Sequence, residues 1–234
     1  MVAVVLNELV NADFSRRVVI ATDELPWIAS PQAGVERRPL DRIGGEVARA
    51  TSLVRYAPAS AFPAHQHGLG EEFLVLDGIF SDERGDYRAG TYVRNPPGSQ
   101  HSPRTAPGCI ILVKLRQMKP TGEPRVVIDT TTAPWHRGDA PGHARIELFA
   151  ATPDAATADG ERVTMERLDA GALLPAMNCA AGEEMFVLSG ELRDEQGSYG
   201  QGTWIRNPAG YRRSLGSAAG VTYWAKRGHL RPGG

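Results

Sequence analysis

The sequence predicts an all-β protein made of two tandem copies of one antiparallel unit. Three observations carry that prediction. Long blocks of the chain recur in the same order. Segments rich in branched and aromatic residues are short and bounded by turn chemistry. Glycine (26) and proline (17) are used heavily among the 234 residues, which favours many turns over long helices.

In chain order, Val4–Phe14 leaves two options open. Leu6, Val10 and Phe14 share one helical face, but an extended strand fits as well. The next blocks define the repeat. TDELPW, ending at Trp27, returns as TTTAPW, ending at Trp135. PAHQHGLGEEFLVLDG at Pro63–Gly78 returns as PAMNCAAGEEMFVLSG at Pro175–Gly190. GDYRAGTYVRNPPG at Gly85–Gly98 returns as GSYGQGTWIRNPAG at Gly197–Gly210. Phe73–Leu76, Gly90–Arg94 and Ile110–Leu115 have strand composition. Asp82–Gly85 and Asp194–Gly197 have the glycine of hairpin loops, and Asn95–Gly98 and Asn207–Gly210 form tight turns. Lys119–Pro124 (KPTGEP) breaks both neighbouring strands and is the expected connector. The expected domains are therefore residues 1–118 and 119–234, each of ordinary single-domain size.

Composition excludes some function classes. A net charge of -1 offers no basic field for nucleic acid. Asn7, Glu8, Asn11 and Asp13 interrupt the apolar start, so neither a secretory leader nor a membrane span is expected. Cys109 and Cys179 lie in different halves and do not suggest a disulfide framework, so a reducing cytoplasm is the expected compartment. No dinucleotide, P-loop or nucleophile-elbow fingerprint is present.

The candidate chemistry lies in the first half. His65, His67, Glu71 and His101 stand in the frame H-x-H-x3-E-x6-G, then G-x5-P-x-G-x2-H. Residues 65 and 67 point the same way on a strand, and His101 arrives from another strand. Three neutral imidazoles and one carboxylate suit a single divalent transition metal. These donors do not fix the metal: a closed tetrahedral site favours zinc, and a site with two further positions open to water admits iron, manganese or nickel. Such a site keeps about one unit of positive charge, which suits an anionic or enolate ligand. Gln66 and Gln100 flank the histidines but should point away. Phe62, Phe73, Val75 and Tyr92 are read as core, with a ligand pocket as the alternative.

The second half acts as an internal control. His65, His67 and His101 become Met177, Cys179 and Arg213, while Glu71 persists as Glu183. The expectation is a metal-free barrel in which Arg213 pairs with Glu183. Cu(I) on Met177 and Cys179 is the alternative. Pairs found in both halves are read as structural: Arg94/Arg206, Asn95/Asn207, Asp82/Asp194, Tyr87/Tyr199 and Lys114/Lys226. His136, His143 and His229 form no spacing pattern and are expected at the surface. Cys109 is expected to be a small buried residue.

These residues resemble the cupin superfamily, which implies two tandem jelly-roll β-barrels. Ala59 and Thr105 replace a glycine and an asparagine that are common in the family. The wording GEEFLVLDGIFSDERGDYRAGTYVRNPPGSQHSP is similar to the cupin-like domain of ChrR-type anti-sigma factors. That likeness spans about Trp27–Lys226 and implies zinc on His65, His67, Glu71 and His101. ChrR-type factors also carry an N-terminal helical domain that holds the sigma factor, and nothing before Trp27 has its Cys/His spacing. The resemblance thus implies a regulatory or sensory module, with a small-molecule ligand or a regulatory protein as partner. The alternative is an Fe(II) dioxygenase acting on a small diketone or hydroxylated aryl ketone. Sugar or polyketide isomerisation has no specific support. Two fused barrels can mimic a dimer, and a further homodimer is an option.

Overall fold

A computed structural model describes residues 8–45, 47–120, 122–151 and 160–230. Among these residues every paired strand is antiparallel, and the sole helical element is a single 3-10 turn at Thr22–Glu24. Leu9–Val10 is a strand paired with Val35–Ile43, which settles the two-way reading of that segment for its described part. Val4–Asn7 lie outside the described residues.

The first barrel is built on one sheet in the order Val35–Ile43, Arg49–Tyr56, Cys109–Leu115, Glu71–Asp82, Thr91–Asn95, Val126–Asp129. The second repeats it as His143–Ala150, Arg162–Leu168, Val221–Arg227, Glu183–Asp194, Thr203–Asn207, Val18–Ala21. The two-tandem-barrel expectation holds, and the compact units of the structure are composed differently from the sequence halves 1–118 and 119–234. The first compact unit includes Pro26–Thr132, and the second includes Asp13–Leu25 as well as the chain from Ala133 onward. Val126–Asp129 pairs with Thr91–Asn95 in the first unit, and Val18–Ala21 pairs with Thr203–Asn207 in the second. The connector expected at Lys119–Pro124 therefore precedes one more strand of the first barrel. The physical reason is edge pairing: each of these strands satisfies backbone groups of a sheet edge that belongs to the other linear half of the sequence.

The long strand Glu71–Asp82 organises the first unit. Its first residues pair with Cys109–Leu115 and Thr91–Asn95; its last residues pair with Gly85–Arg88. Alternation puts Glu71, Phe73 and Val75 on the inner face. Phe73, Val75, Phe80, Val93, Ile111 and Val113 form the core there, and a buried side chain of this size contributes about 1.5–3 kcal/mol. Met185, Val187, Leu192, Ile205, Tyr223 and Ala225 do the same in the second unit. Glu72 and Leu74 face the other way. Tyr92 and Arg94 bond Glu72 on that face (2.7 and 3.1 Å), so the tyrosine belongs to packing and not to a pocket.

The pairing of this strand with Cys109–Leu115 shifts register at Leu76, between Val75 and Asp77, and Gly78 follows two residues on. Gly78 has φ 72, and a Cβ there would lie 2.1 Å from the Gly108 carbonyl oxygen. Gly190 has φ 77 and the same 2.1 Å approach to Gly220. Gly78→Ala and Gly190→Ala should each cost about 2–4 kcal/mol, from positive φ and overpacking together. Urea unfolding checks this, and an unchanged midpoint in either variant would show that the backbone there relaxes.

Candidate metal centre

The four predicted donors meet at one end of the first barrel. His65–Gln66 pairs antiparallel with Gln100–His101, and the register sets His65 opposite His101. His67 follows two residues on, and Glu71 opens the long strand. One donor atom from each of His65, His67, Glu71 and His101 lies within 4.8 Å of all the others. The imidazole rings stand edge to face, with centroids 4.8 to 5.0 Å apart. The Nε2 atoms of His67 and His101 each lie 3.5 Å from Glu71 Oε2. His67, Glu71 and His101 are buried and His65 is exposed. Gln66 and Gln100 are exposed, but Gln66 also borders the cavity that has His65, His67 and Glu71 in its wall, so it does not simply point away as expected.

Neighbours set the donors. His65 Nδ1 donates to the Pro63 carbonyl at 3.2 Å, which leaves Nε2 free. His101 Nδ1 faces Asp82 Oδ2 at 3.5 Å, and Asp82 Oδ1 accepts from the Tyr87 hydroxyl and the Arg84 backbone N–H. Asn95 donates to Glu71 Oε2 at 3.1 Å. Arg125 then donates to Asn95 Oδ1 (2.8 Å) and to the Tyr87 hydroxyl (2.7 Å). Outer partners of this kind fix donor orientation and tautomer.

The electrostatics of the cluster lack a cation. Burial, with His101 and His65 adding, pulls the His67 imidazole down to about 3. Burial and then His65 lower His101, against the pull of Asp82. Burial pushes the Glu71 carboxyl up to about 7; the Asn95 hydrogen bond opposes this and Asp82 adds to it. The buried Nε2 atoms of His67 and His101 have no hydrogen-bond partner. Neutral imidazoles with converging unpaired nitrogens, beside a carboxylate that burial disfavours as an anion, fit a divalent metal.

Comparison with known proteins places the fold. Residues 15–119 and 123–231 each match the family model described as the ChrR Cupin-like domain. The chain belongs to the ChrR cupin-like family. Among solved structures it is similar to a candidate dioxygenase from Nostoc punctiforme, with 14% identity and a TM-score of 0.73, over 94% of this chain and 85% of that one. It is also similar to YlbA from Escherichia coli, with 15% identity and a TM-score of 0.68 over 94% and 93%. Oxalate decarboxylase from Bacillus subtilis, a Mn(II) protein, matches with 10% identity and a TM-score of 0.60 over 92% and 78%. At these identities the likeness is one of fold. No curated protein sequence matches the chain. No helix among the described residues is long and apolar enough to cross a membrane.

A cavity of about 510 Å³ borders the donors, with His65, His67 and Glu71 in its wall. Of the four residues considered for a pocket, Phe62 lines it, while Phe73, Val75 and Tyr92 do not. Tyr56, Arg37 and Arg116 also line it, and no sequence pattern pointed to them. Burial raises the Tyr56 hydroxyl, so that it stays protonated. Arg116 has φ 59, a conformation that costs a non-glycine residue about 1 kcal/mol or more. Ala59, where the family commonly has glycine, has φ 57.

The second cupin barrel keeps the carboxylate and changes everything around it. Met177 stands opposite Arg213, as His65 stands opposite His101. Arg213 grips Glu183 through two bonds, Nε to Oε1 at 2.7 Å and Nη2 to Oε2 at 2.6 Å, as expected. The network reaches further than the sequence suggested. Arg227 donates to Glu183 (3.2 Å) and to Glu166 (2.8 Å), and Glu166 also bonds His143 Nε2. By register these residues replace Leu115, Val54 and Val35, which line the cavity of the first barrel. His143 is therefore buried, not at the surface, because Glu166 fixes its ring. His229 is corrected likewise, since its Nε2 lies 2.9 Å from Glu184 Oε1 with a side chain 3% exposed. His136 is exposed. Cys179 is buried and pushed up to about 12, by burial first and then Glu183, which opposes a soft-metal thiolate there.

The outer scaffold is common to both barrels. Arg17 donates to Asn207 (2.9 Å) and to the Tyr199 hydroxyl (2.9 Å), and Asn207 donates to Glu183 (3.0 Å). Arg17 and Arg125 were missed. Their signal was RVVI at 17–20, which returns at 125–128.

Burial raises Glu166 and Glu183, but hydrogen bonds from His143 to the first and Arg213 to the second, with Arg227 acting on both, outweigh it and hold each at about 2. Both folded values lie below the ordinary 4.5. Their stabilisation is therefore complete above pH 4.5 and is lost as pH falls toward 2. Urea midpoints should drop across that window, and Glu166→Gln should flatten the drop. Arg213→Ala should destabilise by about 3–5 kcal/mol, because Glu183 loses its bidentate partner.

Proposed function

We propose that the first barrel binds one divalent transition metal through His65, His67, Glu71 and His101 and uses it to bind a small molecule. The observation that carries this reading is the junction of the donor cluster with the cavity. A purely structural site would be closed on all sides. Here His65 is exposed and the cavity borders the cluster, so a ligand can approach. Zinc is our first assignment, since the donor set is nitrogen-rich with one carboxylate. On this reading the protein is a ligand-sensing module of the ChrR cupin-like family. The second barrel, its interior cross-linked by Arg213, Glu183 and Arg227, is the metal-free structural partner.

A second reading is favoured by the same cavity and by likeness in fold to the candidate dioxygenase and to the Mn(II) oxalate decarboxylase. With iron bound, the centre would serve oxygen-dependent cleavage of a small diketone or hydroxylated aryl ketone. A bound metal would act as a Lewis acid toward a ligand oxygen. The chain itself does the positioning. Asn95 orients Glu71, Asp82 orients His101, and Val35, Val54 and Phe62 keep the cavity wall apolar.

Metal analysis of protein purified without chelator tests both readings. About one metal per chain is expected, abolished in His101→Ala and unchanged in Cys179→Ala. Zinc with no oxygen uptake supports the sensing module. Iron with oxygen uptake on a diketone supports the enzyme. Metal that persists in His101→Ala but disappears with Cys179 would refute the assignment of the centre to the first barrel.

A further inference from the structure

The cavity beside the four donors is asymmetric in charge. Its lining holds three arginines, Arg37, Arg42 and Arg116, against one carboxylate, Glu71. Arg42 is occupied, since its guanidinium donates to the carbonyls of Gly44 and Gly45. Arg37 and Arg116 make no ion pair or side-chain hydrogen bond among the described residues. Both are half-buried. Partly desolvated cations without a counter-charge are unfavourable, and an incoming anion relieves that.

Backbone conformation supports the same point independently. Arg116 has φ 59, and its counterpart in the second barrel is Gly228 with φ 83. Both backbones make the same turn contact, Arg116 N–H to the Gly70 carbonyl and Gly228 N–H to the Gly182 carbonyl. Glycine suits that turn without strain, so the first barrel keeps a strained backbone that carries a guanidinium. The guanidinium lies against the loop that joins His67 to Glu71, since a Cβ on Gly68 would come within 3.0 Å of Arg116 Nη1. Arg37 also differs from its counterpart. By register that counterpart is Arg145, which is paired with Asp139 at 3.0 Å. Free guanidinium groups thus occur at these positions in the barrel with the cavity and not in the other.

Val35, Val54 and Phe62 supply an apolar wall in the same cavity. We propose that this cavity takes a small organic carboxylate with an apolar body, its charged end held by Arg37 and Arg116. The inference rests on the reading of the cavity as the ligand site of the metal centre, and it adds the chemical class of ligand.

Isothermal titration of the full-length, metal-loaded protein tests it, with hexanoate and benzoate against hexanamide and benzamide. The acids bind, and the amides bind about tenfold or more weakly. Arg37→Gln and Arg116→Gly each weaken the acids by about tenfold or more at unchanged metal content. Arg116→Gly keeps or raises the melting temperature, which separates lost binding from lost folding. Arg145→Gln leaves acid binding at the wild-type level. Failure of both acids to bind, equal binding of acid and amide, or wild-type acid binding in both arginine variants overturns the inference. Parallel metal analysis separates the two readings. Acid binding by wild-type protein that carries no metal refutes the metal centre alone. A metal-loaded protein that ignores the acids refutes the anion site alone.

Discussion

A carboxylate buried at the same place in both barrels is the constraint on which the rest depends. Glu71 and Glu183 each open the long central strand, and each accepts from the asparagine opposite it. A carboxylate removed from water must be neutralised, by a proton or by a cation. In the second barrel Arg213 and Arg227 supply that cation, and Glu183 stays ionised far below the ordinary range. In the first barrel the corresponding positions are His101 and Leu115, which supply none, and the Glu71 carboxyl rises to about 7. Under the proposed reading, a divalent metal makes up that difference.

The scaffold around the carboxylate is common to both barrels. Arg125, Asn95 and Tyr87 in the first unit correspond to Arg17, Asn207 and Tyr199 in the second. Each arginine directly precedes the strand that closes its unit's sheet edge, Val126–Asp129 or Val18–Ala21. The same strand thus completes a sheet and secures the asparagine that orients the glutamate. This explains why these residues recur where the histidines do not: they hold the fold and the carboxylate, whatever neutralises it.

The interiors then diverge in a coupled way. Val35, Val54 and Leu115 leave space beside Glu71, whereas His143, Glu166 and Arg227 link into a chain of ion pairs with Glu183. Such a network is worth little as net stability against an apolar core, but removing one member leaves an uncompensated buried charge. The second barrel is therefore locked, while the first keeps an open wall with two unpaired arginines and a strained backbone at Arg116.

The sequence by itself determined the all-β class, the two-fold repeat, the family and the four candidate donors. Each is written in local spacing: a single residue between His65 and His67, a turn before Glu71, and glycines at positions that only a glycine fits. It also identified the Arg213 and Glu183 pair, because the repeat supplied an alignment within one chain. Only the tertiary structure decided the rest. The leading strand of each repeat pairs in the other unit, since sheet-edge pairing is non-local and leaves no mark on a strand's own composition. His143 and His229 are buried because distant carboxylates, Glu166 and Glu184, reach them. Arg37, Tyr56 and Arg116 come together at the cavity from separate strand segments, and which guanidinium lacks a partner follows from packing in three dimensions, not from spacing along the chain.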